Sequence, residues 1–295
     1  MAAQDTVAGF VGLGTMGSAL SAHLLAAGWR VAGYDIDPAR LAAHTGRGGE
    51  AAAGPGGAAI GDVVVTSLPT AQALLDVAAG AAGLASAARP GLVVIETSTL
   101  PLATKRRARD ALAERGTVLL DCPLSGTGGQ ALAKNVVAYL SGPDEAKARA
   151  LPVLHAMTRA VHDVGGFGNG SAVKFIANLL VAIHNVAAAE ALVLAERAGL
   201  DLAAVLTAVA DGAGSSDMFE VRGPAMAAAD YGGPGVTTTV FAKDLEIIAG
   251  FAKDTGTPTP LFALASTFYA AALAQGHAGD DTACVHAVLR GLAGG

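Results

Sequence analysis

Short apolar runs alternate with alanine-rich helical stretches along the first part of the chain. The apolar runs lie at residues 6–11, 30–35, 63–67, 92–96, 118–121 and 136–140. Runs of this length between polar or glycine-rich turns are typical of strands buried on both faces of a sheet. Because strands separated by helices form βαβ units, the pattern predicts an α/β fold with a mostly parallel, doubly wound sheet. The glycine- and alanine-rich residues 45–61 predict a loop with a short element inside.

The pattern changes at a glycine-rich segment, residues 165–170. A long helix is predicted over residues 171–198, and only helical segments follow it. We therefore expect an N-terminal Rossmann-type domain over residues 1–168 and an all-helical C-terminal domain over residues 169–295, entered by the long helix. A length of 295 residues fits two domains.

The helical part carries broad apolar faces, at residues 181–194 and 261–273. Apolar faces of this size predict contact between subunits. We therefore expect a homodimer or a homotetramer.

Charge and cysteine content exclude several classes of protein. The net charge is −6 and no basic cluster occurs, which argues against nucleic-acid binding. The two cysteines, Cys122 and Cys284, and the seven histidines show no metal-ligand spacing. No metal is therefore expected.

Hydrophobic residues make up 52% of the chain, yet no membrane span is predicted. The longest apolar stretch, residues 175–194, is interrupted by polar side chains at Asn178, His184, Asn185 and Glu190. The first residues form no basic leader with an apolar region behind it, so we expect a cytoplasmic protein.

A glycine-rich turn follows the first predicted strand directly. It consists of Gly12, Leu13, Gly14, Thr15, Met16 and Gly17, and a helical stretch at residues 18–27 follows. A G-x-G-x-x-G turn between a strand and a helix lets the backbone approach a pyrophosphate, which the N–H groups of the helix start can bind. These six residues are therefore candidates for dinucleotide binding.

Asp35, at the end of the second predicted strand, bears on the choice of cofactor. A carboxylate at this spacing accepts hydrogen bonds from the adenosine ribose and repels the additional phosphate of NADP, so NAD is predicted. Arg40 lies close in sequence and leaves NADP use open. The alternative for Asp35 is a surface acid in a turn closed by Asp37 and Pro38.

Two more strand exits, residues 67–70 and 96–99, are candidate nicotinamide contacts. Pro69 cannot continue a strand ladder, so Leu68 and Pro69 must turn out of the sheet toward the crevice. Each exit is equally consistent with an ordinary turn.

A small, hydroxyl-bearing turn follows the fifth apolar run. Its backbone N–H groups and the hydroxyls of Ser125 and Thr127 can donate to a carboxylate. A small carboxylic acid is therefore the predicted substrate, and a bare structural turn is the alternative.

Lys174 and Asn178 lie four residues apart and share one face of the long predicted helix. The positive end of a helix disfavours a protonated amine, so a lysine in the first turn can accept a proton near neutral pH. The alternative is a solvated lysine at a helix start. Lys243 opens a later helical stretch and either contacts the cofactor or pairs with Asp244.

Taken together, these motifs resemble the β-hydroxyacid dehydrogenase family of 3-hydroxyisobutyrate dehydrogenase and tartronate semialdehyde reductase. Besides the glycine turn, the chain matches a D-x-P-x-S-G-G turn at Asp121, Pro123, Ser125 and Gly126, a G-x-G-x-x-x-K-x-x-x-N motif at Gly168, Gly170, Lys174 and Asn178, and a K-D-L segment at residues 243–245. The resemblance covers nearly the whole chain.

The resemblance implies an NAD-dependent exchange between a small 3-hydroxy acid and its semialdehyde. It implies that Lys174 is the catalytic acid/base and that Asn178 assists it. It further implies that Ser125 and Gly126 contact the substrate, and that Thr99 and Lys243 lie near the nicotinamide.

One departure concerns the substrate. Thr127 stands where the family pattern has glycine, and its side chain either limits the size of the substrate or packs in the interior. Residues 212–222 resemble a family segment that completes the substrate pocket, with Ser216, Phe219 or Arg222 as the contact.

Other functions fit parts of this pattern. An imine reductase has a similar fold but typically lacks the lysine, so Lys174 argues against it. An NADP-dependent short-chain semialdehyde or glyoxylate reductase is a close alternative. A non-catalytic dinucleotide-binding module is disfavoured because Lys174 and Asn178 are both present.

Overall fold

The computed structural model describes residues 6–233 and 235–294. The chain divides into two compact units, Met1–Lys174 and Phe175–Gly295. The division falls a few residues after residue 168, where the sequence predicts the boundary.

The N-terminal unit is built on a six-stranded parallel sheet. Its strands are β1 (Val7–Val11), β2 (Arg30–Tyr34), β3 (Glu50–Ala51), β4 (Val63–Thr66), β5 (Val93–Glu96) and β6 (Val118–Asp121), in the order β3-β2-β1-β4-β5-β6. Every neighbouring pair is parallel, which confirms the predicted doubly wound sheet.

A second, three-stranded sheet follows in the same unit. It contains β7 (Leu124–Ser125), β8 (Val137–Leu140) and β9 (Ala160–Asp163). The prediction that residues 136–140 extend the main parallel sheet is wrong. Only Cys122 and Pro123 separate β6 from β7, which is too short for a parallel crossover. The chain instead turns back, and β7 pairs with β8 in the antiparallel direction.

Helices cover both faces of the main sheet. They are α1 (Thr15–Ala26), α2 (Pro38–Thr45), α3 (Ala71–Ala79), α4 (Leu102–Ala113), α5 (Gly128–Leu132) and α6 (Asp144–Met157). Successive strand residues enter opposite cores: Val65 packs in the cluster with Leu20 and Leu24, while Val64 packs in the cluster with Leu74. This alternation is the period of two that a strand imposes on its side chains.

Helix α7 (Asn169–Arg197) leads from the first unit into the second. It begins before Ser171, the predicted start. Lys174 is therefore the sixth residue of α7 and lies in its second turn, so the prediction of a first-turn lysine is wrong. By length and hydropathy alone α7 could cross a membrane, a criterion that buried core helices of soluble proteins also meet.

The C-terminal unit continues with α8 (Leu202–Ala210), α9 (Asp217–Ala228), α10 (Thr238–Asp254), α11 (Pro260–Ala274) and α12 (Val285–Leu292). No strand occurs in residues 175–233 and 235–294, as the sequence predicts for this part of the chain. Aromatic side chains join these helices. The rings of Phe241 and Tyr269 meet edge to face with their centroids 5.2 Å apart, and those of Phe175 and Phe251 do so with their centroids 5.3 Å apart.

Candidate functional site

The strands of the main sheet end in register. Tyr34 lies opposite Val11, Val11 opposite Thr66, Thr66 opposite Glu96, and Glu96 opposite Asp121. The segments that follow these strands therefore leave the sheet along one edge. In open α/β sheets this carboxyl edge is where ligands bind.

The glycine turn lies at this edge and requires its glycines for close packing. Gly12 has a φ of +92°, and a Cβ there would lie 2.1 Å from the carbonyl oxygen of Ser67. A Cβ on Gly17 would lie 1.9 Å from the carbonyl oxygen of Gly12. Larger side chains would therefore push the turn away from the sheet. Because α1 begins at Thr15, its first N–H groups lie where a pyrophosphate is bound in such turns.

The other residues of the turn divide between packing and the open edge. Leu13 is 2% exposed and belongs to a core cluster, and the half-buried Met16 packs against the same cluster. Thr15 is exposed at the helix start. The side chains of Leu13 and Met16 thus fix the turn, while its backbone is available to a ligand.

Asp35 holds the glycine turn to the second strand. Its Oδ2 accepts a hydrogen bond from the Leu13 N–H at 2.7 Å, and its Oδ1 accepts one from the Asp37 N–H at 2.9 Å. The carboxylate side chain is only 6% exposed, and Arg40 Nη1 lies 3.8 Å from Oδ2. The carboxylate of Asp35 is therefore held in place at the carboxyl edge by two backbone N–H groups, and Arg40 offsets part of its charge.

The next two strand exits are tied to each other. The Leu68 N–H donates to Ser98 Oγ at 2.7 Å, and the Ser98 N–H donates to Glu96 Oε1 at 2.8 Å. Pro69 is exposed and Thr99 is half-buried. The structure thus brings all the predicted cofactor residues of the N-terminal unit to one edge of the sheet.

The predicted substrate turn lies beside the start of α1. A Cβ on Gly128, the first residue of α5, would lie 2.6 Å from Thr15 Cγ2. His23 of α1 also bonds through Nε2 to the carbonyl oxygen of Ala131 in α5, at 2.8 Å. Ser125 and Gly126 precede this helix and are half-buried. The turn and the glycine turn are therefore held next to each other.

Thr127 caps α5. Its Oγ1 accepts from the Gln130 N–H at 3.3 Å, and its own N–H donates to Gln130 Oε1 at 2.8 Å. This reciprocal pair is a capping box, which stabilises the first turn of a helix. The half-buried side chain of Thr127 thus has a local structural role that the sequence analysis did not assign.

A buried charge cluster lies under this edge, and the sequence analysis missed most of it. Lys105 Nζ lies 2.8 Å from Asp121 Oδ1 and 3.9 Å from Glu96 Oε1, and all three side chains are fully buried. Thr66 Oγ1 donates to Glu96 Oε2. On α4, Lys105 shares the buried stripe with Ala108 and Leu112, and that spacing is the signal that could have revealed it.

The neighbouring thiol belongs to the same buried region. Cys122 is completely buried, and burial raises its pKa far above the ordinary value. A thiol of this kind stays protonated and is a packing group.

The start of α7 reaches the same edge. The N–H and Oγ of Ser171 both donate to the carboxylate of Asp121, at 2.7 and 2.8 Å. Lys174, three residues later, is 8% exposed. The candidate catalytic lysine therefore lies on the helix turn that follows the contact with Asp121.

In the C-terminal unit, Asn178 and Lys243 are linked through Asp244. Asn178 Nδ2 donates to Asp244 Oδ2 at 3.0 Å, and Lys243 Nζ lies 3.1 Å from Asp244 Oδ1. Lys243 thus makes the pair with Asp244 that the sequence analysis kept as an alternative. Lys243 lies in the second turn of α10, which begins at Thr238, so it does not open the helix.

The three residues predicted in the segment at 212–222 have contacts within the C-terminal unit. Ser216 Oγ accepts from the Phe219 N–H and caps α9. Phe219 is 3% exposed in the helical core. Arg222 Nε donates to Asp281 Oδ1 at 2.9 Å. These contacts account for the three positions structurally, and their contact with substrate stays a prediction.

A parallel sheet with a glycine turn after its first strand and an acid after its second, followed by a helical unit, defines a dinucleotide-binding protein. A family model described as the NAD binding domain of 6-phosphogluconate dehydrogenase matches residues 7–166. A second, described as the NAD-binding of NADP-dependent 3-hydroxyisobutyrate dehydrogenase, matches residues 168–289. The chain belongs to the β-hydroxyacid dehydrogenase family, and the comparisons support NAD as its cofactor and leave NADP use open.

Named relatives are similar in sequence to this chain over nearly its full length. An L-threonate dehydrogenase of Cupriavidus necator is 37% identical, over 96% of this chain and 96% of the relative. An NAD-dependent L-serine dehydrogenase of Pseudomonas aeruginosa is 31% identical, over 94% and 95%. The structure of a Mycobacterium tuberculosis 3-hydroxyisobutyrate dehydrogenase with L-serine has a TM-score of 0.87 and 31% identity, and covers 97% of this chain and 100% of that one.

Proposed function

We propose that this protein transfers a hydride between NAD and the hydroxyl-bearing carbon of a small 3-hydroxy acid, with Lys174 as the general acid/base. The observation that carries the proposal is the position of Lys174. It is a nearly buried lysine on the helix whose start is bonded to the end of β6, at the edge that holds the glycine turn. The named relatives act on hydroxy acids of this size.

The glycine turn, the cofactor and Lys174 have different roles in the proposed reaction. The glycine turn is the pyrophosphate site, because the close packing of Gly12 and Gly17 brings the backbone N–H groups at the start of α1 to the open edge. When bound, the nicotinamide of NAD supplies the hydride acceptor. As the C–H bond of the alcohol breaks, the hydroxyl proton passes to the neutral amine of Lys174, and the carbon becomes a carbonyl. In the reverse direction the protonated amine returns this proton.

Asn178 is proposed to assist at the substrate. It lies one helical turn beyond Lys174 on α7, and its amide is oriented by Asp244 at 3.0 Å. Thr99 and Lys243 are proposed nicotinamide contacts on the strength of the family motifs alone.

The substrate class is proposed from the turn at Ser125, Gly126 and Thr127. The turn lies beside the start of α1, where its N–H groups and the Ser125 hydroxyl can donate to a carboxylate. Among the substrates of the named relatives, L-threonate, L-serine and 3-hydroxyisobutyrate all carry one.

The test is steady-state kinetics on these three acids, with the reaction monitored through the absorbance of NADH. Lys174→Ala should lower turnover on the best acid by roughly 10²–10⁴-fold while NAD still binds. Lys253→Ala, at an exposed position on α10, is the matched control and should keep its turnover. Near wild-type turnover in Lys174→Ala would contradict the assignment of the acid/base.

Strict preference for NAD is a finer proposal, supported by the buried carboxylate of Asp35. An additional phosphate near it would meet a like charge that Arg40, at 3.8 Å, offsets only in part. The ratio of kcat/KM for NAD and NADP measures this preference. Equal use of the two cofactors would show that Arg40 compensates fully.

We also propose that the protein is a cytoplasmic homodimer or homotetramer. Both cysteines, Cys122 and Cys284, are free and buried, which suits a reducing compartment. The helical unit exposes large apolar side chains at Leu194, Val221, Leu261, Leu264 and Leu292. Light scattering after size-exclusion chromatography measures the oligomeric state, and a monomer at micromolar concentration would contradict it.

A further inference from the structure

Side chains from other elements hold the amino end of α7. The first N–H groups of a helix have no acceptor within it and need one elsewhere. Here the Gly170 N–H donates to Ser141 Oγ at 3.0 Å, and the Ser171 N–H donates to Asp121 Oδ2 at 2.7 Å. The two acceptors lie at the ends of β8 and β6. Among the first three residues of α7, the preceding loop holds only Asn169, whose N–H donates to the Gly166 carbonyl oxygen at 3.1 Å and whose Nδ2 donates to that of Val164 at 2.8 Å. The N–H groups of Gly170 and Ser171 are therefore fixed by groups at the strand ends.

The carboxylate of Asp121 is saturated by donors. Its Oδ1 accepts from Lys105 Nζ and from Ser171 Oγ, both at 2.8 Å, while its Oδ2 accepts from the Ser171 N–H. Asp121 and Lys105 are completely buried, and Ser171 is 1% exposed. An amide in place of the carboxylate has a single acceptor oxygen and cannot serve all three donors.

The contact is close as well as polar. A Cβ on Gly170 would lie 2.5 Å from the carbonyl oxygen of Tyr139 and 2.7 Å from that of Asp121. The backbone of α7 thus rests directly on the ends of two strands. Any side chain at residue 170 would force the helix start outward.

A local cap would satisfy the same N–H groups at a lower cost. A serine or asparagine just before a helix does so without burying charge, whereas an ion pair removed from water pays for its desolvation. The carboxylate of Asp121 adds what a local cap cannot, a fixed distance between α7 and β6. β6 leads through Cys122 and Pro123 into the turn at Ser125, the proposed substrate contact.

We propose that Asp121, held by Lys105, is a positioning residue for Lys174. Lys174 follows Ser171 by three residues, so it lies on the same side of the helix and about 4.5 Å further along its axis. The helix between them is rigid, and a displacement at Ser171 reaches Lys174 undiminished. Asp121 thereby sets the distance between the proton acceptor and the substrate turn. The inference rests on the proposed role of Lys174.

The experiment compares Asp121→Asn with Asp163→Asn. Asp163 also pairs with a lysine, Lys147 at 2.7 Å, and accepts a backbone N–H, but it lies at the end of β9 and touches neither α7 nor the substrate turn. Asp121→Asn should lower kcat about 10- to 100-fold, the usual effect of a displacement near 1 Å at a reacting group. The Kd for NAD, measured by fluorescence titration, should stay within about 3-fold. Asp163→Asn should change neither quantity.

Two further variants separate positioning from folding. Ser171→Ala removes one of the three donors and should lower kcat several-fold with a smaller loss of stability than Asp121→Asn. In the Lys174→Ala background, Asp121→Asn should cause no further loss of kcat, because the group that it positions is gone.

Four outcomes test the positioning role of Asp121. Wild-type kcat in folded Asp121→Asn overturns the inference, and so does an equal fold-loss from Asp121→Asn with and without Lys174. If Lys174→Ala by itself keeps its turnover, the proposed role of Lys174 fails first and this inference fails with it. Loss in both single variants without additivity in the double variant supports the inference.

Discussion

The carboxyl edge of the parallel sheet and the helical C-terminal unit are organised in different ways. At the edge, each functional segment directly follows a strand, and the common register of β1, β2, β4, β5 and β6 aligns them. In the helical unit, residues are instead positioned by single contacts between distant parts of the chain. For example, Asn185 donates a hydrogen bond to the carbonyl oxygen of Thr282, 97 residues away. A repeating architecture therefore makes local motifs informative about position, whereas the helical unit offers no such rule.

The two regions also bury polar groups differently. The edge buries a charge cluster of Lys105, Glu96 and Asp121 with no exposed surface. A well-buried ion pair of the helical unit, Arg222 with Asp281, retains 8% and 11% side-chain exposure. If burial sets how much stability is lost when one member of an ion pair is replaced, the same substitution should lower the free energy of unfolding more at the edge than in the helical unit.

The largest effect is expected for Lys105→Met. It leaves two buried carboxylates without their counter-charge, which should lower the free energy of unfolding by about 3–5 kcal/mol. Urea denaturation followed by circular dichroism measures it. Lys147→Met, whose partners Asp144 and Asp163 are 96% and 56% exposed, is the control and should lose much less. Equal losses in the two variants would refute the role of burial.

Arg222→Met should have an intermediate effect. Asp281 keeps the hydrogen bond from the Ala283 N–H at 2.8 Å, so we expect a loss of about 1–3 kcal/mol. Arg290→Met, which removes an arginine that is 45% exposed from its pair with Glu196, should cost below about 1 kcal/mol.

Arg222→Met also tests whether Arg222 binds the substrate. If its role is the bond to Asp281 alone, the KM for the acid should not change. A KM raised more than about 10-fold, with NAD binding unchanged, would instead place Arg222 at the substrate.

Thr127 offers a smaller effect within the N-terminal unit. Thr127→Ala removes the cap of α5 and should cost about 1 kcal/mol, while Thr127→Ser keeps the hydroxyl and should be nearly neutral in stability. Turnover of branched and unbranched hydroxy acids completes the test. A shift in size preference in both variants would show that the methyl group borders the substrate; a stability change in Thr127→Ala alone would identify a cap.

The smallest effect compares one buried histidine from each unit. Burial lowers the pKa of His44 and the pKa of His286, whose exposures are 2% and 0%. The unfolded chain therefore binds protons more readily, and stability should fall as the pH drops below the ordinary histidine value near 6.5. Each histidine should contribute less than about 0.7 kcal/mol between pH 7 and pH 6.

Denaturation midpoints at the two pH values measure this dependence. His44→Gln and His286→Gln should each flatten it, because a neutral side chain cannot titrate. An unchanged pH dependence in both variants would assign the effect to other groups.

Most of the N-terminal fold could be predicted from the sequence, since buried strands and the glycine turn have local signatures. The assignment of residues 136–140 to the main sheet failed because β8 pairs with β7 and β9, and the chain meets β6 there only at the bridge between Asp121 and Ser141. The turn of α7 that carries Lys174 was misplaced for a related reason. The helix begins at Asn169, and Ser141 and Asp121, at the ends of β8 and β6, accept the N–H groups of its second and third residues.

The sequence by itself determined the family, the binding of NAD with NADP use left open, the main parallel sheet followed by helices, and the identity of the candidate catalytic lysine. Those depend on spacing along the chain, which strand and helix periods translate directly into structure. Only the tertiary structure decided that Lys105 is buried under Asp121, that Thr127 caps α5, and that Asp244 links Asn178 to Lys243. The buried ion pair lies between separate elements, and the contacts of Asn178 and Thr127 depend on where packing places each side chain. Packing and the pairing of buried polar groups, rather than sequence distance, bring these atoms together.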